Sequence, residues 1–314
     1  MKAVFLDRAT FSAQVSLLTP DGISDYQIYD ATPNDTATII ERCQDADIII
    51  TNKVLITRDV ISALPKLKLI QLTATGMNNV DKTACDEHDV QLYNVAGYSV
   101  ASVPEHTFGL MLSAMRALNH YHRVATDGTW QADGRFCLLD EPIYDLAGRT
   151  LGIIGSGNIG RRVGEIARVF GMTVLYAERQ GKSPRNADYT DFDTVLADSD
   201  IISLHCPLTD DTLRLINDNT IAKMTKRPLI VNVARGAVVD GDSIVKALNQ
   251  QQILGYASDV FDDEPFANDD ALLGIKDHPR VLFTPHNAWG SLGAQAKLWQ
   301  ILSRQVSTFI RQSV

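Results

Sequence analysis

The sequence has few cysteines and lacks any stretch suited to crossing a membrane. Its four cysteines, Cys43, Cys85, Cys137 and Cys206, are scattered, and none has the C-x-x-C spacing typical of a zinc site or a redox pair. Thiols placed in this way indicate a reducing, cytoplasmic environment. No apolar run approaches the roughly eighteen residues of a membrane span, and Asp7 follows the N-terminus too soon for a signal peptide. We therefore expect no membrane partner and no bound metal.

A basic surface is also missing. Lysine and arginine number 29 against 38 aspartates and glutamates, which gives a formal net charge of −9. Such a balance argues against nucleic acid as a partner, because binding to phosphate backbones depends on clustered positive charge. The 314 residues are 45% hydrophobic, enough to bury the cores of two domains at about 150 residues each.

Short apolar runs alternate with amphipathic segments along most of the chain, in two series. The first series has strand-like runs at 3–6, 46–50, 67–72 and 90–95. The second begins at Thr150 and continues with runs at 172–176, 201–205, 229–233, 255–260 and 281–284. Apolar β-type runs separated by helices are typical of parallel sheets covered on both faces. The sequence predicts an α/β fold with two doubly wound parallel-sheet domains.

Three segments stand outside this alternation. Residues 101–126 have helical periodicity throughout, which predicts one long helix connecting the domains. Residues 293–311 are helical without a strand of their own, so we expect them to return to the first domain and make it discontinuous. Residues 127–148 fit neither template, and they are either an arm that packs on another subunit or an ordered surface loop.

Gly155, Gly157 and Gly160 occur in the order G-x-G-x-x-G between a strand pattern and a helical pattern. The first glycine permits a tight turn, the second lets phosphates approach the backbone, and the third lets the helix pack against its strand. Amides at the start of the helix then face the anion. Glycine-rich turns also arise by chance, but the strand before this one and the helix after it predict a dinucleotide site.

Glu178 lies at the end of the next predicted strand, eighteen residues after Gly160 (178 minus 160). A carboxylate there can accept both hydroxyls of the NAD ribose and repel the additional phosphate of NADP. Arg179, Lys182 and Arg185 weaken that preference, so NADP stays open. The alternative is that Glu178 is a solvated charge at a strand end.

Three residues beyond the ends of later strands form the candidate catalytic set: Arg235, Glu264 and His286. A guanidinium can bind a small carboxylate or polarise the neighbouring carbonyl group. Reduction of a keto group produces an alkoxide that needs a proton, which an imidazole can supply near neutral pH. A carboxylate on the other ring nitrogen would fix the tautomer. Glu264 and His286 are twenty-two residues apart (286 minus 264), so only the fold can bring them together.

Each of these residues also has an explanation that needs no function. A single arginine or glutamate is usually a surface charge. His205, in a strand pattern, and His106, in the long helix, need only packing or a backbone partner. What distinguishes His286 is its place at a predicted strand end in a chain that already carries a dinucleotide motif.

With these motifs assembled, the sequence resembles the D-isomer-specific 2-hydroxyacid dehydrogenases over almost its whole length. Seven segments carry the resemblance in the right order: residues 74–81, 102–106, the glycine motif, 206–209, 232–240, 259–265 and 285–290. Residues 136–140 and 286–290 are most similar to the branch of glycerate dehydrogenases and hydroxypyruvate reductases.

The resemblance implies a flavodoxin-like substrate-binding domain from residues 1–99 plus 291–314 and a Rossmann NAD-binding domain from 100–290, with the active site in a cleft between them. It implies a homodimer acting on a small 2-keto or 2-hydroxy acid. Arg235 would orient the substrate, Glu264 would support the histidine and His286 would donate the proton. Backbone amides of Gly76 and Met77 would bind the substrate carboxylate. The cofactor would touch Asn158, Ile159, Glu178, Pro207, Val233 and Asp259. Glu178 replaces the commoner aspartate, which leaves the choice between NAD and NADP open.

The function expected from these features is NADH-dependent reduction of hydroxypyruvate or glyoxylate. A D-lactate dehydrogenase or broad 2-keto acid reductase is the alternative within the enzyme class. A phosphoglycerate dehydrogenase is less favoured because the sequence ends at residue 314 without an added regulatory domain. Formate oxidation is disfavoured because Glu264 stands where the related formate dehydrogenases have glutamine. A dinucleotide-sensing regulatory protein, like the related corepressors, is the alternative of another class, and the acidic charge argues against it.

Overall fold

The computed structural model describes residues 1–313 and divides into two compact units. The first unit comprises Met1–Ser99 and Trp289–Val314, and the second comprises Val100–Ala288. Each unit contains one parallel β-sheet. No helix in the described part of the chain is both long and apolar enough to cross a bilayer.

The first unit is built on a five-stranded sheet. Its strands are β1 (Lys2–Phe5), β2 (Asp25–Ile28), β3 (Ile48–Thr51), β4 (Leu69–Leu72) and β5 (Gln91–Tyr93). Its helices are α1 (Thr36–Cys43), α2 (Arg58–Ser62), α3 (Lys82–Glu87) and α11 (Leu292–Gln312). The strand order is β2-β1-β3-β4-β5 and every pairing is parallel. This is the flavodoxin-like doubly wound order.

Alternate strand residues of this sheet face two separate hydrophobic clusters. Val4 and Ile49 belong to the cluster that includes residues of α1, α2 and α3, whereas Phe5 belongs to the cluster on α11. Trp299 of α11 stacks on Phe5 with ring centroids 5.6 Å apart. Full burial of such side chains contributes about 1.5–3 kcal/mol each. Because both faces are covered, the central strands β1, β3 and β4 are nearly continuous apolar runs.

The second unit is built on a seven-stranded sheet. Its strands are β6 (Thr150–Ile154), β7 (Thr173–Ala177), β8 (Tyr189–Thr190), β9 (Ile201–Leu204), β10 (Leu229–Asn232), β11 (Gly255–Ser258) and β12 (Val281–Phe283). Its helices are α4 (Ser102–Met115), α5 (Leu118–Thr126), α6 (Thr129–Asp133), α7 (Asn158–Val169), α8 (Phe192–Asp198), α9 (Asp218–Ile221) and α10 (Gly241–Asn249). The prediction of two doubly wound parallel-sheet domains is confirmed.

The strand order of this sheet is β12-β11-β10-β9-β6-β7-β8, again with parallel pairings throughout. The order reverses between β6 and β9, because β7 follows on one side of β6 and β9 on the other. In open parallel sheets, ligands bind beyond the carboxyl ends of the strands at such a reversal. The glycine motif directly follows β6 and therefore lies at this point.

The prediction of one continuous helix over residues 101–126 is wrong. The helix ends after Met115, and Ala117 has a left-handed backbone with φ of 50°. The guanidinium of Arg280, only 4% exposed, donates hydrogen bonds to the carbonyls of Ala114 and Met115 at 2.9 and 3.1 Å. The backbone amides of Ala117 and Tyr144 donate to the same two carbonyls at 3.3 and 3.1 Å, so this helix end is paired in full. A residue distant in sequence therefore stabilises the break between α4 and α5.

Residues 127–148 contain one short helix, α6, and otherwise irregular backbone. Large apolar side chains are exposed here: Trp130 at 42%, Phe136 at 95%, Leu139 at 69% and Ile143 at 40%. We call this segment the arm. Apolar groups at this density on a surface are typical of a contact with another protein. Strands β2 and β8 were not predicted, because β2 is largely exposed and β8 has only two residues.

Candidate active site

The glycine turn joins β6 to α7, and two of its glycines have no room for a side chain. Gly155 has φ of 101°, and a Cβ there would lie 2.4 Å from the backbone nitrogen of Cys206. A Cβ on Gly160 would lie 2.0 Å from the carbonyl oxygen of Gly155. Both glycines are therefore required for the turn itself. Gly157 differs, since a Cβ there would meet no atom of the described chain within 4 Å.

The start of α7 faces this open space. Gly157 is the N-cap of the helix and supplies no side-chain cap, so the amides of the first turn are left for another acceptor. Asn158 is exposed and Ile159 is half-buried at the first two helical positions. A twelve-residue helix with uncapped amides and a glycine that leaves its approach clear has the geometry of an anion site.

Glu178 follows β7 and is 4% exposed. Both of its oxygens are occupied by donors within the chain. Oε1 accepts from the backbone nitrogen of Arg179 at 2.8 Å and from Nη2 of Arg185 at 2.5 Å. Oε2 accepts from the backbone nitrogen and Nε of Arg185 at 3.0 and 2.7 Å. Hydrogen bonding to Arg185 is the main cause that lowers the pKa of Glu178 to about 2, so this carboxyl is ionised at any working pH.

Arg235 lies just beyond the end of β10, and its side chain is half-buried. Its Nη1 donates to the carbonyl of Ala234 at 2.6 Å. A Cβ on Gly236 would overlap the backbone of Phe261, at 1.9 Å from the carbonyl carbon. The turn carrying Arg235 therefore packs directly against the turn that follows β11. The backbone nitrogen of Phe261 in turn donates to Oε1 of Glu264 at 3.1 Å.

His286 and Glu264 form a direct pair. Nδ1 of His286 lies 2.5 Å from Oε2 of Glu264, and the two side chains are 28% and 29% exposed. The carboxylate fixes the tautomer with a proton on Nδ1. Nε2 is left as the nitrogen that can exchange a proton with a substrate. His286 has φ of 50°, a left-handed conformation in which histidine is more frequent than most non-glycine residues.

The turn carrying His286 is anchored by Asp259, which is 2% exposed. One carboxylate oxygen accepts from Oγ1 of Thr284 at 2.6 Å and from the backbone nitrogen of Asn287 at 2.9 Å. The other accepts from the backbone nitrogen of Ala288 at 2.9 Å. Asp259 therefore fixes the backbone on both sides of His286.

His106 of α4 extends this network, although its sequence context suggested only packing. Its Nε2 lies 2.9 Å from Oγ1 of Thr284 and 3.6 Å from Oδ1 of Asp259. Since the hydroxyl proton of Thr284 is donated to Asp259, the same oxygen accepts from Nε2 of His106. No spacing rule links a residue of α4 with the residue after β12, so sequence reasoning missed both His106 and Thr284 as supports of the His286 turn.

His205, the other histidine for which packing was expected, lies beyond β9 beside the glycine turn. Its Nε2 is 2.8 Å from Oγ of Ser203, and burial lowers its pKa to about 3. Pro207, also expected at the cofactor, follows in an exposed turn, where its carbonyl accepts from Oγ1 of Thr212 at 2.7 Å. Val233 is half-buried immediately after β10.

Gly76 and Met77 lie in the first unit, in the loop after β4. Nδ2 of Asn79 fixes this loop by donating to the carbonyls of Asn52 and Val54 at 3.3 and 2.9 Å. Within residues 1–313, neither the amide of Gly76 nor that of Met77 has a hydrogen-bond acceptor. Two adjacent unpaired donors on an anchored loop are suited to a carboxylate.

Comparison with known proteins gives this arrangement a context. Residues 108–288 match the family profile described as D-isomer specific 2-hydroxyacid dehydrogenase, NAD binding domain. The chain belongs to this family. A putative 2-hydroxyacid dehydrogenase of Haemophilus influenzae is 41% identical over 99% of both chains, and a glycerate dehydrogenase of Methylorubrum extorquens is 38% identical over 98% of this chain and 96% of its own.

Solved structures of the family have the same fold. A D-lactate dehydrogenase from Aquifex aeolicus, complexed with NAD and lactic acid, has a TM-score of 0.80 at 25% identity, covering 99% of this chain and 96% of that one. The predicted family and the predicted enzyme class are confirmed. As a family member the protein is an NAD-dependent oxidoreductase, and its second unit contains the NAD-binding domain.

The residues of the glycine turn fit the NAD expected in this family. The space beside Gly157 admits a phosphate where any side chain would intrude, and the uncapped amides of α7 supply donors for it. Across the sheet, the candidate proton donor follows β12, and β10 with its arginine lies between that edge and the glycine turn. Among residues 1–313, no cluster of three or more histidine, cysteine or acidic side chains is arranged to hold a metal ion.

Proposed function

We propose that the protein reduces hydroxypyruvate or glyoxylate to the corresponding 2-hydroxy acid with NADH. The observation that carries the proposal is the 2.5 Å pair of His286 and Glu264, in a domain that also holds the glycine turn. Relatives named glycerate dehydrogenase and hydroxypyruvate reductase, at 38% and 34% identity, support substrates of this size. A further relative named glyoxylate reductase is 30% identical.

In this proposal bound NADH supplies the hydride, and the chain supplies orientation and a proton. Nε2 of His286 protonates the oxygen of the former keto group, while Glu264 stabilises the ring by accepting from Nδ1. Arg235 binds the substrate carboxylate and polarises the carbonyl group, because a guanidinium presents several donors in one plane. The backbone amides of Gly76 and Met77 donate further hydrogen bonds to the substrate carboxylate.

The cofactor contacts belong to the proposal as well. Gly155, Gly157 and Gly160 form the pyrophosphate turn with Asn158 and Ile159 at the helix start, and Glu178 accepts from the ribose. Pro207, Val233 and Asp259 complete the site. The first unit, residues 1–99 with the C-terminal helix, then acts as the substrate-binding domain.

We also propose a cytoplasmic homodimer. All four cysteines are free thiols and three of them are buried, which suits a reducing compartment. The exposed apolar groups of the arm, Phe136 and Leu139 above all, supply a surface that a second copy would cover.

The experiment is a steady-state panel of hydroxypyruvate, glyoxylate and pyruvate, each with NADH and NADPH. The proposal predicts the highest kcat/KM for hydroxypyruvate or glyoxylate. Pyruvate as the best substrate would establish the D-lactate alternative, which the solved D-lactate dehydrogenases with TM-scores near 0.8 favour. Negligible NADH oxidation with every acid would contradict the proposal and support the regulatory role.

A further inference from the structure

Hydrogen-bond donors of the chain itself already occupy the carboxylate of Glu178 in the structure without coenzyme. Four N–H groups converge on its two oxygens, and three of the four belong to Arg185. Two side-chain nitrogens of Arg185, Nε and Nη2, bind the two oxygens in parallel, which is the strongest geometry for an arginine and a carboxylate. A carboxylate offers about four acceptor positions, so a ribose diol must displace the guanidinium to bind it.

The guanidinium of Arg185 is held on its other side by Tyr189. Its central carbon lies 4.3 Å from the centre of the Tyr189 ring, in a cation–π contact. The phenol oxygen of Tyr189 is 2.7 Å from Oγ of Ser156, inside the glycine turn, and accepts from Nη2 of Arg161 at 3.3 Å. Arg185 therefore lies between the strand-end acid and the glycine turn, where the adenosine half of a dinucleotide is expected.

The loop 178–187 carries three cationic side chains and one acid, although the chain as a whole is acidic. Arg185 neutralises Glu178, while Arg179 and Lys182 have no acidic partner within 4 Å among residues 1–313. The side chain of Arg185 is 48% exposed, so a ligand in solvent can reach it, whereas Glu178 is 4% exposed. A neutralised acid does not repel a phosphate, and the cations around it attract one.

We propose that Arg185 determines coenzyme selectivity by covering Glu178 in the free enzyme. When Arg185 covers the acid, the site accepts the 2′-phosphate of NADPH, which binds the guanidinium and its neighbouring cations. When Arg185 turns away, the acid accepts the two ribose hydroxyls of NADH. The chain therefore binds both coenzymes, and Arg185 keeps their affinities close. This inference rests on the assignment of Glu178 as the ribose acceptor in the proposed function.

The test is equilibrium binding of NADH and NADPH by coenzyme fluorescence, without substrate, in wild type and Arg185→Gln. The variant keeps the two backbone donors to Glu178, from Arg179 and residue 185, so the loop stays anchored. We expect tighter binding of NADH and weaker binding of NADPH. The ratio of the two dissociation constants should change by at least about tenfold, which corresponds to about 1.4 kcal/mol.

Two further variants distinguish an effect of Arg185 on coenzyme selectivity from mere stabilisation of the loop after β7. In a Glu178→Gln background, Arg185→Gln should no longer tighten NADH binding, because no carboxylate is released. Arg162→Gln removes an exposed arginine–glutamate pair on α7 and should leave the ratio unchanged. A ratio within about twofold of wild type in Arg185→Gln, or equal weakening of both coenzymes, would overturn the inference. If those results accompany normal keto acid turnover, only the inference fails, whereas a wild type that binds neither coenzyme removes the proposed function too.

Discussion

Alanine at Gly157 should weaken coenzyme binding and leave stability unchanged, whereas alanine at Gly160 should lower stability. At Gly157 the backbone has φ of −70° and ψ of −171°, which alanine adopts without strain, and the new Cβ meets nothing within 4 Å. At Gly160 the new Cβ would lie 2.0 Å from the Gly155 carbonyl oxygen, a backbone atom of the tight turn. One variant therefore fills space intended for a ligand and the other fills space that the fold already uses.

The magnitudes follow from these contacts. Gly157→Ala loses part of the glycine preference at an N-cap and gains about 0.4–1 kcal/mol from a less flexible unfolded chain, so the two nearly cancel. Gly160→Ala gains about 1 kcal/mol of helix propensity, but overpacking against backbone costs about 1–3 kcal/mol or more. With a backbone atom as the obstacle we expect a net loss of about 2 kcal/mol, or about 4–8 °C in Tm.

The assays are thermal unfolding of the free protein and NADH titration by fluorescence. Gly157→Ala should keep its Tm within about 2 °C and weaken NADH binding by at least about tenfold, because its methyl group occupies the approach of the pyrophosphate. Gly160→Ala should unfold at lower temperature. Equal loss of Tm in the two variants, or wild-type NADH affinity in Gly157→Ala, would refute this account of the glycine turn.

Three further predictions concern other parts of the chain. Thr284→Val removes one hydrogen-bond donor to Asp259 and should lower kcat about tenfold with NADH affinity unchanged. Thr284→Ser keeps the hydroxyl group and should restore turnover. An unchanged kcat in Thr284→Val would show that Thr284 does not support the His286 turn. Burial lowers the pKa of His205 from 6.5 to about 3. Between these two pH values, the His205 ring binds a proton in the unfolded chain but not in the folded one. His205 should therefore lower the free energy of unfolding by at most about 1.4 kcal/mol for each pH unit from 6.5 toward 3, and the fall should be less steep in His205→Asn. Denaturant unfolding curves with the same pH dependence in wild type and His205→Asn would contradict this prediction. Serine at Phe136 and Leu139 should shift sedimentation from dimer to monomer, and an unchanged dimer places the interface elsewhere.

The glycine turn and the strand ends were accessible from sequence because they depend on local pattern. The glycines at 155, 157 and 160 are recognised from their spacing between a strand pattern and a helical pattern, and buried parallel strands appear as short apolar runs. The pairing of Glu264 with His286 was a hypothesis of a different kind. It depends on the parallel register of β11 and β12, in which Ser258 lies opposite Phe283, and a register between strands is not encoded by any one segment.

Long-range side-chain contacts explain what the sequence did not reveal. The break between α4 and α5 depends on Arg280, far along the chain, and the support of the His286 turn depends on His106 of α4. The cover of Glu178 by Arg185 depends on the conformation of an irregular loop. Such contacts join segments whose local sequences show nothing unusual, so periodicity and spacing do not predict them.

The central claim is that His286 donates the proton, and His286→Asn tests it most directly. Asparagine tolerates the left-handed backbone that His286 adopts at φ of 50°, so the turn should persist without an imidazole to donate the proton. The decisive measurement is single-turnover oxidation of bound NADH by hydroxypyruvate. We predict a rate about two to four orders of magnitude below wild type with NADH affinity unchanged. A rate within about threefold of wild type would contradict the account.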